Sequence, residues 1–532
     1  MSSWLGREIF SAAGSLIDGW AWLSGEASAK VVNEAVETTR NRPHPWSTVS
    51  DYTSWRSLTD RTYLARHLPA ATLTTLPPAD QVIDLFRRPA GAQRLSGKST
   101  CLFPAFAQYL TDGFIRTLPT DAWRTTTNHE IDLCPLYGRT IEQTDALRLK
   151  DETPGRRGRL KSQMIGPEEY PPFLYPNGNN VSDPAFDALD PPLFAPNQPT
   201  PAPRPNWPPA PWPDWPQAKL NTLFAVGGDR ANSSPFTSMI NTLLLREHNR
   251  IAGVLDGKNP SWDDERVFQT ARNIMIPLFI KIVVEQYINH VTPLPFSLRA
   301  DPSVAWTANW NRPNWITTEF SLLYRWHSLM PDTIQWAGGL TIPIGSFTLD
   351  NAPLLSAGLD AAFSAASVQP SGEIGALNTA AALLPIETLS INQARYNRLD
   401  TYDKYRQAFG MTPVASFGDI TSNPKVAALL AELYGTADKV EFYPGLFAED
   451  RMPDSPLPEL LLRMVAVDAF SQALTNPLLS EHVFNADTFT QWGFNLISAT
   501  SKLGDLLARN VPARGPTPIE MTQAGWSYVN NR

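Results

Sequence analysis

The chain has 532 residues, with 44 Lys and Arg against 52 Asp and Glu, which gives a formal net charge of −8. This acidic balance argues against a polyanion-binding protein, so no nucleic-acid partner is predicted. The 42% hydrophobic and 18% charged residues indicate a globular protein with a large core, while two cysteines are too few for a disulfide framework and favour a reducing compartment.

The first predicted element is a helical segment at the N-terminus. Apolar residues recur every three to four positions across residues 4–23, with tryptophans at both ends, and we assign residues 1–45 to amphipathic N-terminal helices. The stripe fits a membrane-binding segment or a helix packed on the protein's own core, because the lysine-rich face of a typical interfacial helix is missing. No secretory signal and no run of 18 apolar residues occur. We therefore expect a cytoplasmic protein, peripheral on the inner membrane face if the segment binds lipid.

The remaining residues, 46–532, are predicted to form one large, mainly helical domain of the all-α class. Residues 166–219 differ, because Pro-Pro pairs and a proline-rich run predict a non-helical insertion. Its tryptophans 207, 212 and 215 suggest that it lies along the surface, although a recognition segment for a partner is the alternative. Apolar residues recur at helix spacing around 80–88, 103–117, 237–254, 264–290, 316–330, 396–409, 424–434 and 459–474.

The stretch 319–332 contains the strongest candidate for chemistry. On a helix, Tyr324 and His327 are three positions apart and share a face. A single imidazole could thus hold a haem iron while a phenol one turn away exchanges an electron with it. The alternative is a hydrogen-bonded core or capping histidine beside core aromatics.

A second polar stretch, 246–250, follows a run of leucines. Five polar or charged residues at the end of a buried helix must satisfy their charges by mutual pairing. We therefore interpret His248 as structural and not catalytic.

Together these stretches resemble the animal-type haem peroxidase superfamily and, within it, the cyclooxygenase and fatty-acid dioxygenase branch. The resemblance runs from about Asp51 to about Leu507 and implies a mainly α-helical haem peroxidase domain. Further matching segments, in order, are DYTSW (51–55), FAQ (106–108), IDL (131–133), LYG (136–138), EYPP (169–172), FQTAR (268–272), AELYG (431–435), EFYPGL (441–446) and WGFN (492–495).

The resemblance implies a role for three residues. His327 matches the proximal iron ligand, Tyr324 the radical tyrosine that takes hydrogen from a fatty acyl chain, and Tyr287 the tyrosine that hydrogen-bonds it. An oxidised haem can take an electron from a nearby phenol, and a phenoxyl in a dry channel is protected from water. Dioxygen would add to the resulting carbon radical. The implied substrates are O2 and an unsaturated fatty acid or related lipid, and the product is a hydroperoxide or endoperoxide.

The distal side departs from the family pattern. Gln108 matches the glutamine that assists peroxide binding, but Asp112 stands at the position of the distal histidine. A carboxylate can move the proton only if burial raises its pKa toward the working pH. We therefore expect weak or absent peroxidase activity. The alternatives are a peroxidase or peroxygenase that uses Asp112 as its acid-base group, and a haem-binding homologue without turnover.

Other positions define how the haem would be held. Arg230 matches the distal arginine, with either a catalytic role or a structural ion pair to Asp112, and Thr117 is assigned to the haem pocket. Ser233 and Thr111 replace the two acids that esterify the haem in covalently linked members, which implies non-covalent haem b. Gly113 stands where calcium-binding members have an aspartate, so no calcium is predicted.

The predicted substrate channel has two ends. Arg40 or Arg42 stands near the carboxylate-pairing arginine of cyclooxygenases, although either fits a solvated helix-end charge, and Leu294 replaces the tyrosine that assists it. The lipid head group could therefore enter differently. Ala469 takes the position of the acetylatable serine, with Ser471 as the alternative if the register slips. The matched channel residues are Leu461, Leu462, Val465, Ala466 and Ala469.

Overall fold

The computed structural model of the protein describes residues 4–37, 61–118, 121–177, 182–190, 217–311, 313–511 and 514–527. Of residues 4–10 it describes the backbone alone. Several predictions lie outside the described residues, namely those on Arg40, Arg42, the 51–55 segment and the tryptophans at 207, 212 and 215.

Helices dominate the described part of the chain, which confirms the all-α fold class. Short 3-10 turns connect many of them. The α-helices are α1 (Trp4–Asp18), α2 (Ala21–Glu37), α3 (Ala79–Val82), α4 (Leu102–Asp112), α5 (Cys134–Tyr137), α6 (Ile141–Leu147), α7 (Gln217–Leu220), α8 (Pro235–Lys258), α9 (Asp264–Ile282), α10 (Asn289–Val291), α11 (Ser303–Trp306), α12 (Phe320–Leu323), α13 (Ala352–Ala357), α14 (Leu359–Val368), α15 (Leu384–Tyr396), α16 (Tyr402–Ala408), α17 (Pro424–Tyr434), α18 (Phe442–Ala448), α19 (Glu459–Leu474), α20 (Ala486–Ser498) and α21 (Leu503–Asn510).

The described strands form four antiparallel two-stranded ribbons. They pair β1 with β8, β2 with β3, β4 with β5, and β6 with β7. None of the described strands joins a larger sheet, so the ribbons are small additions to a helical core. Their bounds are β1 (Leu95–Thr100), β2 (Thr117–Leu118), β3 (Asp121–Thr125), β4 (Gln163–Ile165), β5 (Glu168–Tyr170), β6 (Thr333–Trp336), β7 (Leu340–Pro343) and β8 (Pro370–Gly372).

Helix α8 lies at the centre of the core and is buried on nearly every side. It packs against α4, α9 and α21. The carboxylate of Glu247 accepts two 2.8 Å hydrogen bonds from Arg250, while His248 contacts the Tyr137 hydroxyl at 2.8 Å and the Gly158 carbonyl at 2.9 Å. Burial lowers the pKa of His248 to about 4, so its ring is neutral. The predicted pairing of charges is confirmed and the hydrogen bonds of His248 agree with a structural role, but residues 246–250 lie in the middle of α8 and not at its end.

The predicted continuous helix over 316–330 is wrong. Helix α12 spans only Phe320–Leu323, Tyr324 leaves the helix at φ −104° and ψ 24°, and a 3-10 turn begins at His327. Tyr324 and Trp326 bring their ring centroids to 4.9 Å, a contact that residues two apart cannot make on an α-helix. Aromatic packing therefore overrides the helical period, and Tyr324 and His327 do not share a helix face.

Three other predicted helices are also shorter than expected. The helix expected over 80–88 is α3 followed by a 3-10 turn that ends at Leu85. The helix expected over 103–117 ends at Asp112, before strand β2, and the one expected over 396–409 is replaced by the end of α15 and by α16. By contrast, α17 and α19 match the predicted ranges 424–434 and 459–474.

The segment Asp264–Val291 is long and apolar enough to cross a membrane, but 72% of its apolar window is buried inside the protein. It consists of α9, a π-helical stretch over Val283–Ile288, and α10. This burial is the pattern of a core helix.

The N-terminal helices dock on the loop that follows α10. The backbone of Gly14 in α1 packs so closely on Pro295 that no side chain fits between them. Asp18 accepts a 2.9 Å hydrogen bond from the Ser297 N–H, and Ser28 Oγ accepts one of 3.1 Å from the Arg299 N–H. One side of this pair of helices therefore packs on the protein's own core, as one of the two interpretations expected.

Candidate active site

Tyr324 sits at the C-terminal end of α12, half-buried against other aromatic rings. Its ring centroid lies 4.8 Å from that of Phe320 and 4.9 Å from that of Trp326. Burial raises the pKa of Tyr324 well above its ordinary value, although the neighbouring Tyr287 hydroxyl opposes the shift. The side chain is therefore a protonated phenol at neutral pH, and it can lose its proton only together with an electron.

Tyr287 belongs to the π-helical stretch between α9 and α10 and is fully buried. Its hydroxyl lies close enough to that of Tyr324 for each to shift the other's pKa, although their alignment falls short of a well-formed hydrogen bond. Phe103 and Phe106 enclose it, with ring centroids at 5.8 and 5.6 Å. The structure thus brings together the two predicted tyrosines in dry surroundings. Single π-helical turns inside α-helices are frequent at functional sites.

His327 opens the 3-10 turn that follows Tyr324 and is held from behind by a carboxylate. Its Nδ1 lies 3.1 Å from Oε1 of Glu387, at ion-pair distance but without the alignment of a hydrogen bond, and no described residue forms a hydrogen bond with its Nε2. The side chain keeps 17% of its surface exposed, whereas that of Glu387 keeps 2%. An imidazole that is oriented through one nitrogen and open at the other has the arrangement of a metal ligand.

Gln108 and Asp112 lie four residues apart on α4 and therefore face the same direction. Gln108 is exposed, while the side chain of Asp112 retains only 9% exposure. Arg230 Nη1 stands 3.7 Å from Asp112 Oδ1, and Asp112 Oδ2 is buried without a partner. Burial raises the pKa of Asp112 to about 7 even though Arg230 opposes the shift. The condition for a carboxylate acid-base group, a pKa near the working pH, is therefore met.

Arginine–aspartate pairs surround this distal group. Arg116 Nη1 lies 2.5 Å from Asp229 Oδ1, and Arg139 pairs with Asp190. Thr117 is half-buried in β2, directly after Arg116. The sequence predicted Arg230 and Thr117 as site residues. It did not predict the Arg116–Asp229 and Arg139–Asp190 pairs, because the two members of each pair are far apart along the chain.

Arg325 connects the distal side with the His327 side. Burial and the nearby Arg230 lower its pKa to about 10, while Asp112 and Glu387 both act in the opposite direction. One guanidinium thus interacts with the groups expected above and below a haem. The buried Oδ2 of Asp112 and Nε of Arg325 have no hydrogen-bond partner among the described residues, and together with the partly exposed His327 ring they fit a bound haem.

The predicted channel residues lie on α19, which packs against both α12 and α2. Leu461, Val465 and Ala469 are buried, whereas Leu462 and Ala466 are half-buried. Leu294 is half-buried in the loop that contacts α1. The predicted residues therefore lie between the N-terminal helices and the segment that carries Tyr324.

A buried ion pair near Tyr324 was not predicted. His67 Nε2 lies 3.4 Å from Asp468 Oδ1, and both side chains are almost completely buried. Burial lowers the pKa of His67, but the attraction of Asp468 outweighs it and the net shift is upward. Asp468 also raises the pKa of Tyr324. In the sequence, the only indication that Asp468 lies near the site is that it directly precedes the predicted channel residue Ala469.

The raised pKa of Asp112 predicts a pH-dependent stability. The folded-state pKa lies above the unfolded one, so stability from the protonated form is present below about pH 4 and is lost as the pH rises toward about 7. The stability of Asp112→Asn relative to the parent chain should therefore increase by about 1.4 kcal/mol per pH unit between about pH 5 and about pH 7. Urea unfolding across this range measures the slope, with Asp145→Asn as a charge-matched control at a more exposed site. A constant difference would contradict the raised pKa.

Comparison with known proteins defines the class. The family model of the animal haem peroxidases matches residues 75–521, and the chain therefore belongs to this family of haem oxidoreductases. Among the described residues no group of three or more His, Cys, Asp or Glu side chains is placed to hold a metal ion, and the absence of calcium stays a prediction.

Within this family, the chain is similar to the following individual proteins. The chain is 31% identical to prostaglandin G/H synthase 2 of Equus caballus over 491 residues, 88% of this chain and 74% of that protein. It is 30% identical to prostaglandin G/H synthase 1 of Rattus norvegicus over 504 residues, 91% of this chain and 77% of that protein. A fatty acid alpha-dioxygenase structure from Arabidopsis thaliana shares the fold, with a TM-score of 0.70, 14% identity, and coverage of 100% of this chain and 95% of that one.

Proposed function

We propose that the protein is a haem-dependent dioxygenase of unsaturated fatty acids or related lipids. Tyr324 is the hydrogen-abstracting residue, and His327 is the ligand of a non-covalently bound b-type haem. The observation that carries the proposal is the juxtaposition of a half-buried phenol that lies beside the Tyr287 hydroxyl and, three residues later, a partly exposed imidazole with a carboxylate 3.1 Å from its Nδ1. The similarity to prostaglandin G/H synthases supports the same conclusion.

The haem, when bound, would supply the one-electron oxidising power for this chemistry. Tyr324 then acts as the hydrogen acceptor: its phenoxyl oxygen takes a hydrogen atom from the acyl chain and becomes a phenol again. The carbon radical adds O2 to give a peroxyl radical. That peroxyl radical takes the hydrogen atom back from Tyr324, which leaves a lipid hydroperoxide and regenerates the phenoxyl.

The surroundings of Tyr324 suit this cycle. Phe320, Trp326 and the buried faces of α19 keep water away from the phenol, so the radical is protected from quenching. The Tyr287 hydroxyl lies close enough to affect the pKa of this phenol. Because the radical is regenerated in each turnover, oxidation of Tyr324 is needed only for priming, and a weak peroxidase reaction at Asp112 is sufficient.

Oxygen consumption by haem-loaded protein with a panel of unsaturated fatty acids tests the proposal, followed by mass spectrometry of the products. We expect uptake that shortens its lag when a trace of lipid hydroperoxide is added, and products that are heavier than the substrate by one or two O2. Absence of lipid-dependent oxygen uptake with every substrate and primer would refute it.

A peroxidase or peroxygenase function is the second candidate, and the raised pKa of Asp112 favours it. In that case hydrogen-peroxide-dependent dye oxidation would be fast and would survive Tyr324→Phe. A protein that shows a haem absorption band with neither activity would instead be a haem-binding homologue without turnover.

We further propose that residues 1–45 form a unit through which a cytoplasmic protein contacts the inner membrane face, with residues 46–532 as its catalytic domain. Leu16 in α1, Trp20 between α1 and α2, and Trp22 in α2 support this, because they are 62%, 65% and 72% exposed. Tryptophan is favoured at lipid–water interfaces. The acyl chain would then enter from the membrane side, along α19.

Replacement of Leu16, Trp20 and Trp22 together by serine should weaken binding to phosphatidylcholine vesicles at least about tenfold. Each large apolar side chain that leaves water contributes about 1.5–3 kcal/mol, and 1.4 kcal/mol corresponds to a factor of ten. Co-sedimentation measures the binding. The control replaces Ile141 and Met164, which are 77% and 65% exposed elsewhere, and should bind like the parent chain. Equal losses in both variants would contradict a membrane-facing role for the N-terminal helices.

A further inference from the structure

Glu387 places a buried negative charge directly behind the imidazole of His327. It lies in the first turn of α15 and is 1% exposed. A carboxylate in the first turn of a helix is stabilised by the helix dipole. Its Oε1 lies 3.1 Å from His327 Nδ1, and within the described ranges this carboxylate forms no other ion pair.

Two hydroxyl groups fix the position of Glu387. Thr379 Oγ1 donates a 2.9 Å hydrogen bond to Oε1, and the Tyr443 hydroxyl donates a hydrogen bond to Oε2. Tyr443 itself is fully buried, with its ring stacked on Phe86 at 5.3 Å between centroids. The carboxylate is therefore fixed by two hydrogen bonds, and the His327 ring lies beside its Oε1 at ion-pair distance.

A buried carboxylate in this position has a definite chemical consequence. An imidazole that binds a metal through Nε2 carries its proton on Nδ1, and a carboxylate that accepts this proton's hydrogen bond makes the imidazole a stronger electron donor. A stronger axial donor favours the higher oxidation state of haem iron. Glu387 is thus placed to act on the iron through His327 without touching it.

We propose that Glu387 is a positioning residue: when His327 holds the haem, the carboxylate, which lies 3.1 Å from Nδ1, accepts a hydrogen bond from the Nδ1–H and shifts the ferric–ferrous equilibrium of the haem toward ferric iron. The inference rests on the proposed function, in which His327 is the iron ligand. It extends that function by naming the residue that keeps the iron in the state from which Tyr324 is oxidised. Thr379 and Tyr443 share the charge of the carboxylate and so moderate its effect.

The test is the variant Glu387→Gln in haem-loaded protein, because glutamine keeps the shape of the side chain and an acceptor oxygen but removes the charge. The ferric–ferrous midpoint potential, measured by spectroelectrochemistry, should rise by at least about 59 mV, which corresponds to a tenfold change in the equilibrium. The iron–imidazole stretching frequency of the ferrous protein, measured by resonance Raman spectroscopy, should fall. A potential and a frequency equal to those of the parent protein would overturn the inference.

Glu373→Gln is the matched control. Glu373 is also a partly buried glutamate, but it pairs with Arg451 and Arg94 and does not contact His327. Its variant should leave the iron–imidazole frequency unchanged. The same fall in frequency in both variants would overturn the inference, because the effect would then not pass through the His327 contact.

Tyr443→Phe provides an independent arm if Glu387→Gln does not take up haem. Loss of the phenol removes a donor that competes for the same carboxylate, so the midpoint potential should move downward, opposite to Glu387→Gln. An upward shift or no shift would overturn the inference. His327→Gly separates the two proposals: if the iron–imidazole band persists in it, the ligand assignment fails, whereas if the band disappears there and is unaffected in Glu387→Gln, only the role of Glu387 fails.

Discussion

Tyr324→Phe should reduce lipid-dependent oxygen uptake by at least about a thousandfold while leaving the haem absorption spectrum unchanged. The substitution removes one oxygen atom and with it the only group in the proposed cycle that can accept the hydrogen atom of the acyl chain. A thousandfold loss corresponds to about 4 kcal/mol of transition-state free energy. The aromatic ring remains, so the packing on Phe320 and Trp326 is retained and the fold should tolerate the change.

A matched control separates loss of the radical site from loss of a buried hydroxyl. Tyr137→Phe removes another buried phenol oxygen, one that bonds His248 in the core at 2.8 Å and has no place in the proposed chemistry. It should lower stability and leave oxygen uptake per folded molecule close to that of the parent protein. Oxygen uptake by Tyr324→Phe at more than about a tenth of the parent rate would show that another residue abstracts the hydrogen.

Many helices could be predicted from the sequence, because their apolar residues recur at helical spacing and the same residues form the packed face in the structure. Helices α17 and α19 have the boundaries that their apolar spacing predicts, and the buried polar residues of α8 are paired as expected, although they lie within the helix and not at its end. In these segments local preference and tertiary packing agree. A single sequence is then sufficient to place an element.

The segment around Tyr324 shows why the same reasoning fails at the site. Three aromatic residues, Phe320, Tyr324 and Trp326, pack their rings against one another, and this packing ends α12 before the predicted helix is complete. The contact energy of large rings exceeds the small free-energy difference between an α-helix and a pair of tight turns. Departures from local preference of this kind are expected where a chain holds functional groups.

The candidate site could be predicted only for the residues that lie in recognisable segments. Tyr324, His327 and Gln108 stand in stretches that resemble the family, so their positions followed from the resemblance. Glu387 and Asp468 reach the same region from α15 and α19. Nothing in the spacing of a carboxylate along its own helix indicates which distant side chain it will meet, so such partners require the three-dimensional structure.

In the roles proposed for them, Asp112 and Glu387 would act on the same step, the oxidation of Tyr324. Burial raises the pKa of Asp112 to about 7, which suits a carboxyl group that moves a proton, although its side chain is shorter than that of histidine. On the proximal side Glu387 would favour oxidised iron. A weak peroxide reaction combined with a stabilised ferric state suits an enzyme whose tyrosine is primed rarely and then reused.

His327→Gly should lose haem affinity by at least about a hundredfold, because removal even of a partner of a metal ligand typically costs 10- to 100-fold. Titration of haem followed by its absorption band measures the affinity, and thermal unfolding gives a second readout, because a ligand that binds the folded state raises Tm. Haem should raise the Tm of the parent protein and have little effect on that of the variant.

Added imidazole should restore the absorption band in the variant, since Glu387 remains in place to orient a free ring. His290→Gly is the control, because that ring is buried between Ser99 and Thr522. Unchanged haem affinity in His327→Gly would remove His327 from the proposed site.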